Sequence, residues 1–249
     1  MKEDILGYSI DTLSSTDCCD EIVNSVTSGK KGWLACFNPH SYAVSLQDNL
    51  FSSALSNADW LVPDGIGVVY ASRFLRGEVK ERVTGFDIFK GVHDRLKNTN
   101  CTRVFFLGST DETLVKIKKR MQEDYPELQV VGFYSPPFKP TYTAIELQEM
   151  ISAVNNVKPD VVWVGLTAPK QEKWILNNIS KLDVKFVGAI GAVFDFYTGQ
   201  VKRSSPIFQK LGLEWLPRLM QQPRRLWRRM FISAPIFVLD VFKEKFASK

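Results

Sequence analysis

Two stretches of small and polar residues, Gly108-Ser109-Thr110-Asp111 and Thr167-Ala168-Pro169-Lys170-Gln171-Glu172, each follow a short apolar run and open a polar segment of helical period. Backbone N–H groups left free at such helix starts suit a phosphate. Lys170 and Gln171 would also serve simply to cap the helix that begins there. Asn38-Pro39-His40 follows another apolar run, and Asp64, between Pro63 and Gly65, places a carboxylate on a turn beyond a strand instead of on a solvated helix face. Its structural alternative is an Asx turn. Further along, Arg218, Arg225 and Arg228 are spaced seven and three apart, so on one helix they fall near one face, with Arg224 and Arg229 on its flanks.

Several chemistries are excluded by what the chain lacks. It has no Gly-X-X-X-X-Gly-Lys, and Gly65-Ile66-Gly67-Val68-Val69-Tyr70 lacks the third glycine of the dinucleotide fingerprint. With only His40 and His93 there is no His-Glu-X-X-His, and no Gly-X-Ser-X-Gly elbow occurs either. Asp-X-Asp, which would hold a divalent metal against a nucleotide-sugar diphosphate, is also missing. For a nucleotide sugar, cationic side chains must do that work.

The elements that would position these residues follow from the apolar pattern. Residues 32–37, 103–107, 129–133, 161–166 and 184–190 are short, β-rich and apolar, as expected of parallel strands buried on both faces. Between them, residues 111–124 carry Leu114, Ile117 and Met121 at helical spacing, and residues 144–155 carry Ile145, Leu147, Met150 and Ile151. The alternation predicts a doubly wound, mainly parallel Rossmann-like α/β sheet with a helical C-terminal appendage. Ligands of such sheets bind beyond the carboxyl ends of the strands, where the polar stretches above fall. Pro136, Pro137 and Pro140 mark a loop after the 129–133 strand.

Charge divides the chain at about residue 200. The whole carries +5, but residues 200–249 hold eleven Lys and Arg against three acidic residues, a local +8, which leaves −3 on residues 1–199. A mildly acidic body, residues 1–199, and a basic tail, residues 200–249, point to an anionic partner for the tail: phospholipid, a lipid phosphate or nucleic acid. Within the tail, Trp215, Leu219, Trp227, Phe231, Ile232, Ile236, Phe237, Val238 and Phe242 alternate with the cations, the composition of an interfacial helix. Aliphatic runs such as Ile236-Phe237-Val238-Leu239 favour lipid over base stacking, so no nucleic acid partner is expected. Packing of these aromatics on the body, or across a homo-oligomer interface, is the alternative. The longest apolar stretch there, residues 230–239, is far short of the ~20 residues of a spanning helix. Four irregularly spaced cysteines fit a reducing cytoplasm, and residues 1–9 lack the apolar run of a signal peptide.

Multi-residue motifs give a specific resemblance. Asn38, then Ala58-Asp59-Trp60-Leu61-Val62-Pro63-Asp64-Gly65-Ile66-Gly67-Val68-Val69, then Arg82-Val83-Thr84-Gly85-Phe86-Asp87 resemble the opening motifs of the WecG/TagA/CpsF glycosyltransferases, family 26. Phe105-Phe106-Leu107-Gly108, Tyr125-Pro126, Pro136-Pro137-Phe138, Val164-Gly165-Leu166, Pro169-Lys170-Gln171-Glu172-Lys173-Trp174, Gly188-Ala189 through Phe194-Asp195, and Gly212-Leu213-Glu214-Trp215 with Arg218 continue it in order. Cys36 stands where relatives often carry a hydroxyl residue, and Thr167 where many carry glycine.

The resemblance implies inverting transfer of a hexosyl unit, N-acetylmannosamine, its uronic acid or glucose, from a UDP-sugar to a sugar on a polyprenyl diphosphate. It implies work at the cytoplasmic face of the bacterial membrane, without a metal cofactor, in teichoic acid or surface polysaccharide synthesis. By position in the motifs Asp64 is the general base and Arg82 an active-site arginine, while Asn38, Gly108, Lys170, Gln171 and Asp195 contact the nucleotide sugar. Arg218, Arg225 and Arg228 match the arginines that meet the lipid diphosphate. The rival from another class is a non-catalytic sugar-nucleotide or RNA-binding module.

Overall fold

The computed structural model describes residues 1–201 and 223–247. Six parallel strands form one sheet in the order β4-β3-β8-β7-β5-β6, with β3 Gly32–Phe37, β4 Trp60–Pro63, β5 Arg103–Leu107, β6 Gln129–Tyr134, β7 Val161–Val164 and β8 Phe186–Ala189. The expected strands are therefore present, and the doubly wound class holds. Along β3, Trp33, Ala35 and Phe37 enter the core on one side of the sheet while Leu34 enters the other; along β7, Val162 and Val164 oppose Val161 and Trp163. Period-2 alternation with apolar residues at every position needs helices on both faces.

The first face is covered by α2 Pro39–Ser45, α3 Asn49–Ser56, α4 Ile66–Leu75, α7 Ala144–Asn155 and α8 Lys170–Asn178. The second is covered by α1 Ser15–Thr27, α5 Gly85–Leu96, α6 Asp111–Asp124 and α9 Val193–Tyr197. Start signals are where sequence chemistry puts them: Thr84 and Asp87 form a capping box on α5, Thr143 and Glu146 on α7, and Thr110 caps α6. One strand departs from expectation. β6 is not buried on both faces, because it lies at the sheet edge with β5 as its single neighbour, and its residues are half-buried or exposed. Ahead of the sheet, β1 Lys2–Ile5 and β2 Tyr8–Asp11 form an antiparallel hairpin that the sequence pattern does not announce. Its buried Asp11 accepts the Leu61 N–H at 2.6 Å, fixing the hairpin beside β4.

The tail is built as α10 Pro223–Arg228, a π-helical turn Arg229–Ser233 and α11 Ala234–Ala247. Its inner face joins the first core. Phe237 and Val241 are buried, and the Phe237 ring lies 6.4 Å from Phe37 and 5.6 Å from Tyr42. The Tyr42 hydroxyl donates to Asp240 at 3.0 Å, and the Leu6 N–H donates to Glu244 at 3.0 Å. Its outer face leaves Trp227, Phe231, Ile232, Val238, Leu239, Phe242 and Phe246 exposed, continuous with Phe74 of α4, whose ring is 4.8 Å from Phe242. The aromatics of the tail thus divide between packing on the body and facing outward. Among the described residues, no helix is long and apolar enough to cross a membrane.

Candidate active site

Loops after all six strands of the sheet border one cavity of about 930 Å³, at the upper end of the range of small-molecule sites. The parallel arrangement turns every carboxyl end to the same side, and α6, α8 and α9 all start on it. That is the side where helix N-termini present partial positive charge to an anion.

At one end, β3 and β4 run in register to Phe37 and Pro63, and the ladder continues one residue further as the Asp64 N–H donates to the Phe37 carbonyl at 2.8 Å. Asn38 and Asp64 therefore leave adjacent strands side by side, and both line the cavity. Gly65 turns the chain into α4 at φ +135°, a conformation that disfavours side chains. The Asn38 amide oxygen is committed to α2: it accepts the N–H groups of His40 at 3.0 Å and Ser41 at 2.9 Å. Only its amide N–H₂ remains for a sugar or for Asp64. The Val83 N–H donates to the Pro63 carbonyl at 3.0 Å, which brings the segment carrying Arg82 to the same strand end. Thr84, Gly85 and Phe86 form the wall there; Arg82, two residues before Thr84, is half-buried and does not line the cavity.

At the other end, Gly108 has a backbone role. With φ +101°, it passes so close to β7 that a Cβ would lie 2.7 Å from Leu166 and 3.0 Å from the Gly165 carbonyl carbon, and Ser109, Thr110 and Asp111 supply the wall beyond it. Lys170 ties the loop after β6 to α8, donating to the Lys139 carbonyl at 2.9 Å with its ammonium 5.1 Å from the Tyr142 ring and 5.6 Å from Phe138. Partial burial lowers its pKa, and a nearby anion would restore the charged form. Gln171 is buried and uses both ends of its amide: the oxygen accepts the Gly191 N–H at 3.1 Å, and the nitrogen donates to Glu172 at 2.8 Å. Gly191 is the turn from β8 into α9, so Gln171 fixes the helix that carries Asp195 to the cavity.

The tail closes the wall from above. His40 Nδ1 lies 2.9 Å from the Ser233 hydroxyl, and burial, then the Arg229 charge, pushes the His40 pKa down to about 4, so the ring is neutral near pH 7. The π-helical turn closes its hydrogen bonds one residue further along than an α-helix and so changes which side chains beyond it share a face. Arg229, the first residue of that turn, lines the cavity, whereas Arg228 is exposed, 5.5 Å above the Trp227 ring. Arg218 lies outside the described residues, and Arg225 belongs to α10 but outside the residues whose side chains are described. Sequence reasoning sets Arg229 only on the flank of the arginine face and includes Glu172 within a motif without giving it a role of its own. For Glu172 a signal existed: it precedes Ile175 by three and lies on the buried face of α8 with Gln171, Trp174 and Asn178.

A doubly wound sheet whose strand ends jointly enclose a sugar-sized and nucleotide-sized cavity, with a turn carboxylate at one end and helix starts with cations around it, has the architecture of a glycosyltransferase. The chain belongs to the glycosyl transferase WecG/TagA/CpsF family, whose sequence model it matches over residues 3–249. Among its relatives is an N-acetylglucosaminyldiphosphoundecaprenol N-acetyl-beta-D-mannosaminyltransferase of Bacillus spizizenii, 31% identical over 219 residues, 88% of this chain and 82% of the relative. The enzyme of the same name from Bacillus subtilis is 32% identical over 216 residues, 85% and 79% of the two chains. The Staphylococcus aureus enzyme of that name is 26% identical over 248 residues, 98% and 93% of the two chains.

Proposed function

We propose that the protein transfers an N-acetylmannosaminyl unit from its UDP derivative to N-acetylglucosaminyl diphosphoundecaprenol, inverting the anomeric carbon, at the cytoplasmic face of a bacterial membrane. The observation that carries this reading is the pairing of Asp64 with Asn38 at adjacent strand ends in a cavity of about 930 Å³, in a chain whose Bacillus relatives bear that activity in their names.

The donor diphosphate lies along the starts of α6 and α8, near Lys170, with the nucleotide toward Asp195. An acceptor hydroxyl enters at the Asp64 end and its oxygen attacks the anomeric carbon. The bond from that carbon to the diphosphate oxygen breaks, Asp64 takes the hydroxyl proton, and UDP leaves with the bonding electrons. Arg229, with Arg82, Arg218 and Arg225 as further candidates, neutralises the charge that develops on the leaving diphosphate, a role that needs no metal ion. Mass spectrometry of the lipid product from UDP-N-acetylmannosamine and this acceptor tests the reading: one added N-acetylhexosamine supports it, and an unchanged acceptor with consumed donor contradicts it.

The exposed face of α10 to α11, with Tyr70 and Phe74 of α4, supports docking on the bilayer that holds the acceptor. Replacing Phe231 and Leu239 together by Ser is expected to remove on the order of 1–2 kcal/mol of apolar burial per site and to lower flotation with anionic liposomes by roughly 30-fold or more. Unchanged flotation would assign this face to another partner.

A further inference from the structure

Glu172 is a buried carboxylic side chain in the cavity wall, 2% exposed, and its two oxygens are treated unequally. Oε1 accepts from Gln171 at 2.8 Å, whereas Oε2 is buried with no hydrogen-bond partner among the described residues. A buried carboxylate oxygen without a donor is costly, while the protonated acid places no net charge there. We propose that Glu172 works as a neutral acid, a positioning residue that holds Gln171 and the Gly191 turn for the donor, so that binding the anionic UDP-sugar is linked to keeping or taking up one proton. The inference rests on the donor-site reading above.

The surroundings of Glu172 agree. α8 packs on α3 and β8, and the ionisable groups near Glu172 are few. Lys173, on its own helix, is paired with Asp48 at the start of α3 at 2.7 Å. β8, Phe186–Ala189, carries no ionisable side chain. From β3 comes Cys36, whose thiol is raised well above its ordinary range by burial first and then by the charges of Asp64 and Glu172. Burial pushes Glu172 up to about 7, an effect that the Gln171 hydrogen bond, its own backbone N–H and the Lys173 charge offset only in part. Of the other displaced groups of this wall, burial lowers His40 to about 4 and raises the Cys36 thiol and the Tyr142 phenol, and it lowers Lys170, two residues before Glu172, from the ordinary lysine range. A bound diphosphate adds negative charge beside Glu172 and favours the neutral acid further.

The test is the dissociation constant of UDP-N-acetylmannosamine between pH 6 and 8.5 for the wild type, Glu172→Gln and Glu172→Ala. This donor is a diphosphate diester with no proton to lose in that range. If only the neutral form binds, the wild-type Kd rises roughly tenfold from pH 6.5 to pH 8. Glu172→Gln keeps an acceptor for Gln171 and cannot ionise, so its Kd is expected to stay flat near the wild-type value at pH 6. Glu172→Ala frees Gln171 and is expected to bind more weakly at every pH. A wild-type slope retained in Glu172→Gln overturns the proposal. So does calorimetry of the wild type in two buffers of different ionisation enthalpy that shows no proton uptake at pH 7.5, a measurement that needs no variant. Failure of the donor to bind any form at any pH overturns the donor-site reading itself.

Discussion

Asp64→Asn is expected to lower turnover by about 10²- to 10⁴-fold, the range for loss of a general base, while leaving the affinity for the UDP-sugar close to wild type. The substitution keeps the shape of the side chain and the backbone N–H that Asp64 gives to Phe37 at 2.8 Å, so the β3–β4 ladder and the turn into α4 are retained. It removes the negative charge and with it the capacity to accept a proton, and it turns one acceptor oxygen into an N–H₂ donor. Single-turnover rates and donor titrations on the same preparation separate the two effects. Near-normal turnover would remove Asp64 from the chemistry and reduce it to a turn residue.

Arg229→Ala is expected to lower kcat by about 10²- to 10³-fold, the range for removing one group that stabilises developing charge. Because Arg229 borders the cavity and Arg228 is exposed above Trp227, Arg228→Ala is expected to keep kcat within about threefold and to act through the lipid acceptor instead. Arg229→Lys is expected to recover only part of the loss, since an ammonium lacks the planar fork that grips two phosphate oxygens. Equal effects of the two alanine variants on kcat would contradict the placement. Removing the whole tail is a poorer test: it would also uncover Phe37 and Tyr42, on which Phe237 packs.

The sheet was legible in the sequence because its strands are short apolar β-rich runs, and residues 32–37 and 103–107 are strands with those very limits. The hairpin was not, because two four-residue strands leave too little alternation to stand out. Asn38, Asp64, Lys170, Gln171 and Asp195 meet in one cavity although 157 positions separate the first from the last, since a parallel sheet turns all its strand ends the same way. Gly108 was found for its position, but the crowding against Gly165 and Leu166 that explains it is a property of packing. Helical spacing singled out Arg218, Arg225 and Arg228 and set Arg229 on the flank of their face; that Arg229 lines the wall while Arg228 is exposed depends on how the helix packs over the strand ends, which spacing does not carry. Glu172 is included with its motif but given no role of its own, because a glutamate in the first turn of a helix is ordinarily a solvated partner of the dipole. Its burial depends on α8 lying flat against β8.

UDP release measured with UDP-N-acetylmannosamine, UDP-N-acetylglucosamine and UDP-glucose, each with and without N-acetylglucosaminyl diphosphoundecaprenol, tests acceptor-dependent transfer through Asp64. The predicted result is release from UDP-N-acetylmannosamine alone, dependent on the acceptor and lost in Asp64→Asn. Release that ignores the acceptor, or that persists in Asp64→Asn, would contradict it.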